Sequence, residues 1–293
     1  MPLIEIDQLT KDYGSGRGIF DINLNVEQGE VFGFTGTNGA GKTTTIRHLM
    51  GFLRPQQGHT TIGGLDCWLD SAKIKQQVGY CPGEIAFPDE PTGTSFLKHQ
   101  AELLGLHDMR FANDLIAHLQ LDPTANLKRM SKGMKQKTAL VATFMADPQI
   151  LILDEPTTGL DPLMRAAFIE IILAEKKKGK TIFMSSHMMD ELEETCDRVA
   201  LIEAGKIQKV TSVDAIKHSP NKTFKLEFAD HDQYARFLDQ GFTLQAKRPH
   251  QNQVIVRLND ADLNHFVQVM THYQLNFISE IKHTLEDYFK GTI

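Results

Sequence analysis

The stretch Val31–Met50, VFGFTGTNGAGKTTTIRHLM, runs from a short apolar segment through a glycine-rich loop into a helical pattern. Within it Gly36, Gly41, Lys42 and Thr43 satisfy G-x-x-x-x-G-K-[ST], and the strand–loop–helix context lifts that match above chance. Gly36, Gly39 and Gly41 let the chain turn tightly. Together with Thr37, Asn38 and Ala40 they offer backbone N–H groups to phosphate oxygens. The following helix points its positive end at the same anion. In such a loop Lys42 bridges the β- and γ-phosphates, the Thr43 hydroxyl ligates Mg²⁺, and Thr44 donates to the α-phosphate. A P-loop nucleoside-triphosphate fold is the expectation.

A metal held by Thr43 needs a second support, and ILILDEP (150–156) supplies one. Four apolar residues place Asp154 at the exposed end of a buried strand, where it can hold Mg²⁺ through water. Glu155, next in the chain, suits a general base that orients and deprotonates a water; a plain surface carboxylate is the other reading.

Outside these motifs the chain is ordinary. Its 293 residues are comfortable for two domains, and a hydrophobic content of 41% allows a real core. A net charge of −6 gives no electrostatic reason to expect a nucleic-acid partner. Cys67, Cys81 and Cys196 form no CxxC pair and suit a reducing, cytoplasmic setting. MPLIEIDQLT has neither the basic head nor the apolar stretch of a signal peptide, and no uninterrupted apolar window reaches membrane-spanning length. Any membrane-spanning part is expected on another polypeptide.

Residues 1–218 alternate short strands with helical patterns. LIEIDQLT and DINLNV read as half-buried antiparallel strands, while VFGFT, ILIL and TIFMSS read as buried parallel ones. The first domain is therefore α/β with an antiparallel portion at its start. KHSPN (217–221) reads as a connector, and residues 219–293 follow as a small α+β domain. Their order, βαββαβ, suggests a ferredoxin-like arrangement ending in a helix from Thr284. The histidines His218, His231, His250, His265, His272 and His283 are scattered through this segment, and only His265 and His272 share a predicted helix face. Solvated surface is the expectation there.

With KDYG, GTNGAGKT, GYCPGE, MSKGMKQK, LILDEPTTGLDP and SSH in this order, the chain resembles the nucleotide-binding subunit of an ATP-binding cassette (ABC) transporter. The resemblance covers residues 1 to about 218. It implies the ABC-ATPase form of the P-loop fold, with antiparallel β and helical subdomains, and an ATPase using ATP and Mg²⁺. By the same resemblance Tyr13 stacks on adenine, His187 contacts the γ-phosphate, and Asp161 touches the partner subunit's phosphate loop. Asp161 followed by Pro162 also reads as a helix cap. Ser131, Lys132, Gly133 and Met134 match the signature, which binds the γ-phosphate held by the opposite subunit. On residues alone, Ser131 is a good helix cap and Gly133 leaves room for close backbone approach. Two chains would then sandwich two ATP molecules, closing on binding and opening on hydrolysis.

Two departures stand out. Met130, Lys132 and Met134 replace Leu, Gly and Gln of the usual signature. Gly83 stands where the family has a glutamine that links Mg²⁺, the attacking water and the membrane partner; Glu84 is the candidate substitute ligand. In the same loop Phe87 and Phe96 are either anchors for a membrane subunit's cytoplasmic helix or core residues. The resemblance further implies a separate transmembrane permease, a location on the inner face of the cell membrane, export as the direction, and a homodimer as a competent assembly. A soluble ABC-type ATPase uncoupled from transport is the other reading. A GTPase or small-molecule kinase is disfavoured, since no NKxD-type guanine reader occurs and a kinase has little use for MSKGM.

Overall fold

The computed structural model describes residues 2–218, 220–281 and 284–290. Ser219 of the expected connector and His283 lie outside the described residues. Apolar runs set the centre of the first unit. Strands β3 (Val31–Thr35), β7 (Ile150–Asp154) and β8 (Thr181–Ser185) are buried at every position. With β6 (Val78–Cys81), β9 (Arg198–Glu203) and β10 (Lys206–Ser212) they form a six-stranded sheet, order β10–β9–β3–β8–β7–β6. All pairs are parallel except β10 with β9. Phe32 stacks on Phe183 across β3 and β8 with ring centroids 5.8 Å apart. Each such ring taken from water contributes about 1.5–3 kcal/mol.

Alternation gives the second sheet. β1 (Ile4–Asp12), β2 (Gly18–Val26), β4 (Gln57–Ile62) and β5 (Leu65–Asp66) pair antiparallel in the order β2–β1–β4–β5. Ile4, Ile6, Leu24 and Val26 point inward and join Phe34, Ile46 and Ile152 in one apolar cluster. Helices α1 (Lys42–Leu49), α2 (Ser71–Lys75), α6 (Pro162–Lys177), α7 (Met189–Thr195) and α8 (Val213–Lys217) lie between or after the strands. Between β6 and β7 the chain inserts α3 (Gly93–Leu103), α4 (Arg110–His118) and α5 (Lys132–Phe144). Thr92 and Ser95 start α3 as a reciprocal capping box. Phe96 is buried and its ring meets the half-buried Phe87 at 4.7 Å, so the pair is packed rather than free.

The chain divides into units Met1–Val213 and Asp214–Ile293, a few residues upstream of the boundary expected at 218. The second unit holds β11 (Asn221–Phe228), α9 (His231–Leu238), β12 (Thr243–Arg248), β13 (Gln253–Asn259), α10 (Leu263–Met270), β14 (Leu275–Ile281) and α11 (Leu285–Lys290). Its antiparallel sheet has the order β12–β13–β11–β14. Leu226, Phe228, Phe237, Val254 and Phe266 form its core. α10 stops at Met270, so His272 lies beyond it and does not share a helix face with His265. Among the described residues no helix is long and apolar enough to cross a membrane.

Candidate active site

The carboxyl ends of β3, β7 and β8 lie on one edge of the parallel sheet, where open α/β sheets hold ligands. A cavity of about 680 Å³ opens there. Thr37, Asn38, Gly39, Gly41, Lys42, Thr43 and Thr44 line it, together with Tyr13, Glu84, Asp154, Glu155 and His187. Gly36 and Ala40 sit behind the lining. A Cβ at Gly36 would collide with the Ile202 carbonyl oxygen, so only glycine lets the loop lie against β9. Tyr13 is 55% exposed at the rim, a ring without a core to fill.

The helix behind the loop begins at Lys42, and its N-cap, Gly41, has φ 117 and no side-chain hydrogen bond. Its first N–H groups are left for an anion. Lys42 is buried, and its Nζ donates to the Gly36 carbonyl oxygen at 2.7 Å and pairs with Glu155 Oε1 at 3.2 Å. The other oxygen of Glu155 meets His187 Nδ1 at 2.6 Å. Glu155 takes φ 49, a left-handed conformation that costs a non-glycine residue energy and that often marks functional sites. Its N–H bonds back to the carbonyl and hydroxyl oxygens of Ser185 at 3.1 and 3.0 Å.

Asp154 is fully buried, not at an exposed strand end. Gly83 lies against it: a Cβ there would stand 3.1 Å from Asp154 Oδ2, so the loop after β6 packs on the carboxylate. The Ser185 hydroxyl donates to Asp154 Oδ1 at 2.7 Å, while Oδ2 is buried without a partner. Burial pushes the carboxyl above the usual carboxylate range, opposed by the Ser185 hydrogen bond and the nearby Thr43 hydroxyl. An orphaned carboxylate oxygen beside a threonine hydroxyl is an all-oxygen donor set that suits a hard cation such as Mg²⁺.

The expected signature residues do not join this cavity, since none of 130–134 lines it. Ser131 caps α5, accepting from the Met134 N–H at 3.2 Å. Gly133 lies against the backbone of Gly159, where a Cβ would meet the carbonyl oxygen at 2.8 Å. Met130 is buried, while Ser131 and Lys132 are exposed. Asp161 caps α6 by accepting from the Met164 N–H at 3.0 Å, and is exposed. The cavity also takes in Arg17, Arg47 and Thr158, and Ser185 supports it from β8. Thr158 and Ser185 fall inside the motifs LILDEPTTGLDP and SSH without a role of their own there, while Arg17 and Arg47 carry no motif signal.

A family model described as "ABC transporter" matches residues 19–158. The chain is 31% identical to the bacitracin transport ATP-binding protein of Bacillus licheniformis, over 98% of this chain and 96% of the relative. Among solved structures, one titled as the ATP-binding subunit of an ABC transporter superposes with a TM-score of 0.67 at 31% identity, covering 73% of this chain and 92% of that one. A dimeric ATP-binding cassette in a post-hydrolysis state with ADP and phosphate has a TM-score of 0.65 at 18% identity and shares the fold, over 72% of this chain and 98% of that one.

Proposed function

The chain belongs to the ABC transporter ATP-binding proteins, and from that premise we propose that it is the ATP-hydrolysing subunit of an exporter, working as an ATP-closed homodimer. The supporting observation is a separation within one chain. Lys42, Glu155 and His187 converge on the P-loop cavity, while Ser131 and Gly133 at the start of α5 do not line it.

In this reading the loop 36–41 and the open end of α1 hold the phosphates, and Tyr13 lies under the adenine. Lys42 releases Glu155 as the phosphates take its charge. Glu155 then accepts the proton of the attacking water, with His187 fixing the carboxylate from its other oxygen. Thr43 and Asp154 would hold Mg²⁺, with Glu84 as the ligand nearest the missing glutamine; when bound, the ion neutralises charge on the phosphates. Ser131, Lys132, Gly133 and Met134 of a second copy close the site, and Asp161 contacts the partner's loop.

The groove of about 260 Å³ whose more open lining is Tyr80, Ile85, Phe87 and Leu104, over the packed Phe96, supports docking of a cytoplasmic helix from a permease. That would hold the chain on the inner membrane face, and the bacitracin-transport relative supports an exporter of the multidrug or peptide type. The strand order β12–β13–β11–β14 supports a ferredoxin-like accessory unit over 219–293. Co-expression with the genes beside its own tests the reading. A multi-span membrane protein should co-purify and stimulate ATP hydrolysis. Failure of every such neighbour to bind would favour a soluble ATPase uncoupled from transport.

A further inference from the structure

Glu191, in the first turn of α7, is a buried carboxyl that none of the motifs uses: its residue is 3% exposed. Its Oε2 accepts from the Thr157 hydroxyl at 2.7 Å and from the Ser186 hydroxyl at 3.2 Å. Oε1 is buried without a partner. We propose that Glu191 is a positioning residue for hydrolysis, tying the segment after β7 to the segment after β8 so that Glu155 and His187 stay in contact, and that its ionisation sets the strength of that tie.

The geometry gives each bond a task. Ser186 Oγ accepts the Met188 N–H at 3.1 Å, so its own proton goes to Glu191. The two bonds fold the backbone around His187, which lies between Ser186 and Met188. Thr157 follows Glu155 by two residues. Its carbonyl oxygen accepts the Leu160 N–H at 3.0 Å, and its neighbour Thr158 lines the nucleotide cavity. One carboxylate oxygen therefore holds both walls of the Glu155–His187 pair. As an anion it accepts both hydroxyl protons strongly. When protonated, its proton goes to Oε1, where no acceptor waits, and Oε2 becomes a weaker acceptor.

The charges around it place this change at working pH. Burial pushes the Glu191 carboxyl up to about 7, against the Thr157 and Ser186 hydrogen bonds; Glu155 raises it further and His187 lowers it. Cys196 is also close enough to interact, but burial pushes that thiol up to about 12, so it stays neutral. A proton gained by Glu191 as pH falls through neutrality weakens the support of the catalytic pair, and hydrolysis falls with it.

The inference rests on Glu155 and His187 being the hydrolytic pair, and its test separates the two. ATPase rates of the full chain are measured from pH 5.5 to 9, beside ATP affinity. The wild type should show an acidic limb in kcat with a midpoint near 7. Glu191→Gln, which cannot ionise, should lower kcat and lose that limb, with affinity unchanged within about twofold. Thr157→Val keeps the carboxyl but removes the hydrogen bond that stabilises its anion. It should move the midpoint up by about half a unit or more, a shift that a merely structural role would not produce, and it serves even where the glutamine variant fails to fold. Hydrolysis whose limb is unmoved in both variants overturns this inference alone. No hydrolysis by the wild type at any pH overturns the Glu155–His187 assignment, and this inference with it.

Discussion

Helices α1 and α5 start differently, in the way the proposed shared site requires. α1 has a glycine before it and no side-chain cap, so its first N–H groups open into the cavity of its own chain. α5 is closed by Ser131, whose oxygen accepts the Met134 N–H while its residue remains exposed. A helix that meets its anion in its own chain has no need of a cap. One that meets an anion only when a second molecule arrives needs a cap meanwhile, and a serine hydroxyl can still donate outward. In the proposed shared site the two helix starts are thus finished for different circumstances.

Mixing variants is the strongest way to break that contrast. Lys42→Ala should disable the α1 half and Ser131→Ala the α5 half, each lowering hydrolysis by about 10²-fold or more. In a mixed dimer one composite site is intact, combining the P-loop of the Ser131 variant with the signature of the Lys42 variant. Random pairing then predicts recovery of about a quarter of wild-type activity, read as steady-state phosphate release. Mixtures no more active than their parts would place both halves in a single chain.

A smaller effect sharpens the α1 side, where the loop after β6 lies on Asp154. Gly83→Ala puts a methyl group 3.1 Å from Asp154 Oδ2. The neighbours must give way, costing about 1–3 kcal/mol, measured by urea unfolding. Glu84→Gln, beside it, should weaken the Mg²⁺ dependence of hydrolysis without a comparable loss of stability. An unchanged Mg²⁺ dependence would remove Glu84 from the site.

Much of this was legible in sequence because local signals carried it. The runs VFGFT, ILIL and TIFMS are compact and largely apolar, and they form the wholly buried strands β3, β7 and β8. Asp161-Pro162 announced the start of α6. What stayed hidden depends on distant parts of the chain meeting. Gly83 packs against the buried Asp154 from a loop that a strand pattern cannot position. Glu191 joins Thr157 to Ser186 across two loops, with no spacing to reveal it. The helix reading that grouped His265 with His272 ran past Met270, because an amphipathic pattern does not mark where hydrogen bonding ends.

The most direct measurement is the mass of the Glu155→Gln chain in solution with ATP and Mg²⁺, with and without a membrane partner. Blocking hydrolysis should trap the closed pair, so particles of about twice 32.9 kDa are expected with ATP and single chains without it. Particles that stay single with saturating ATP, even beside the permease, would contradict the shared site.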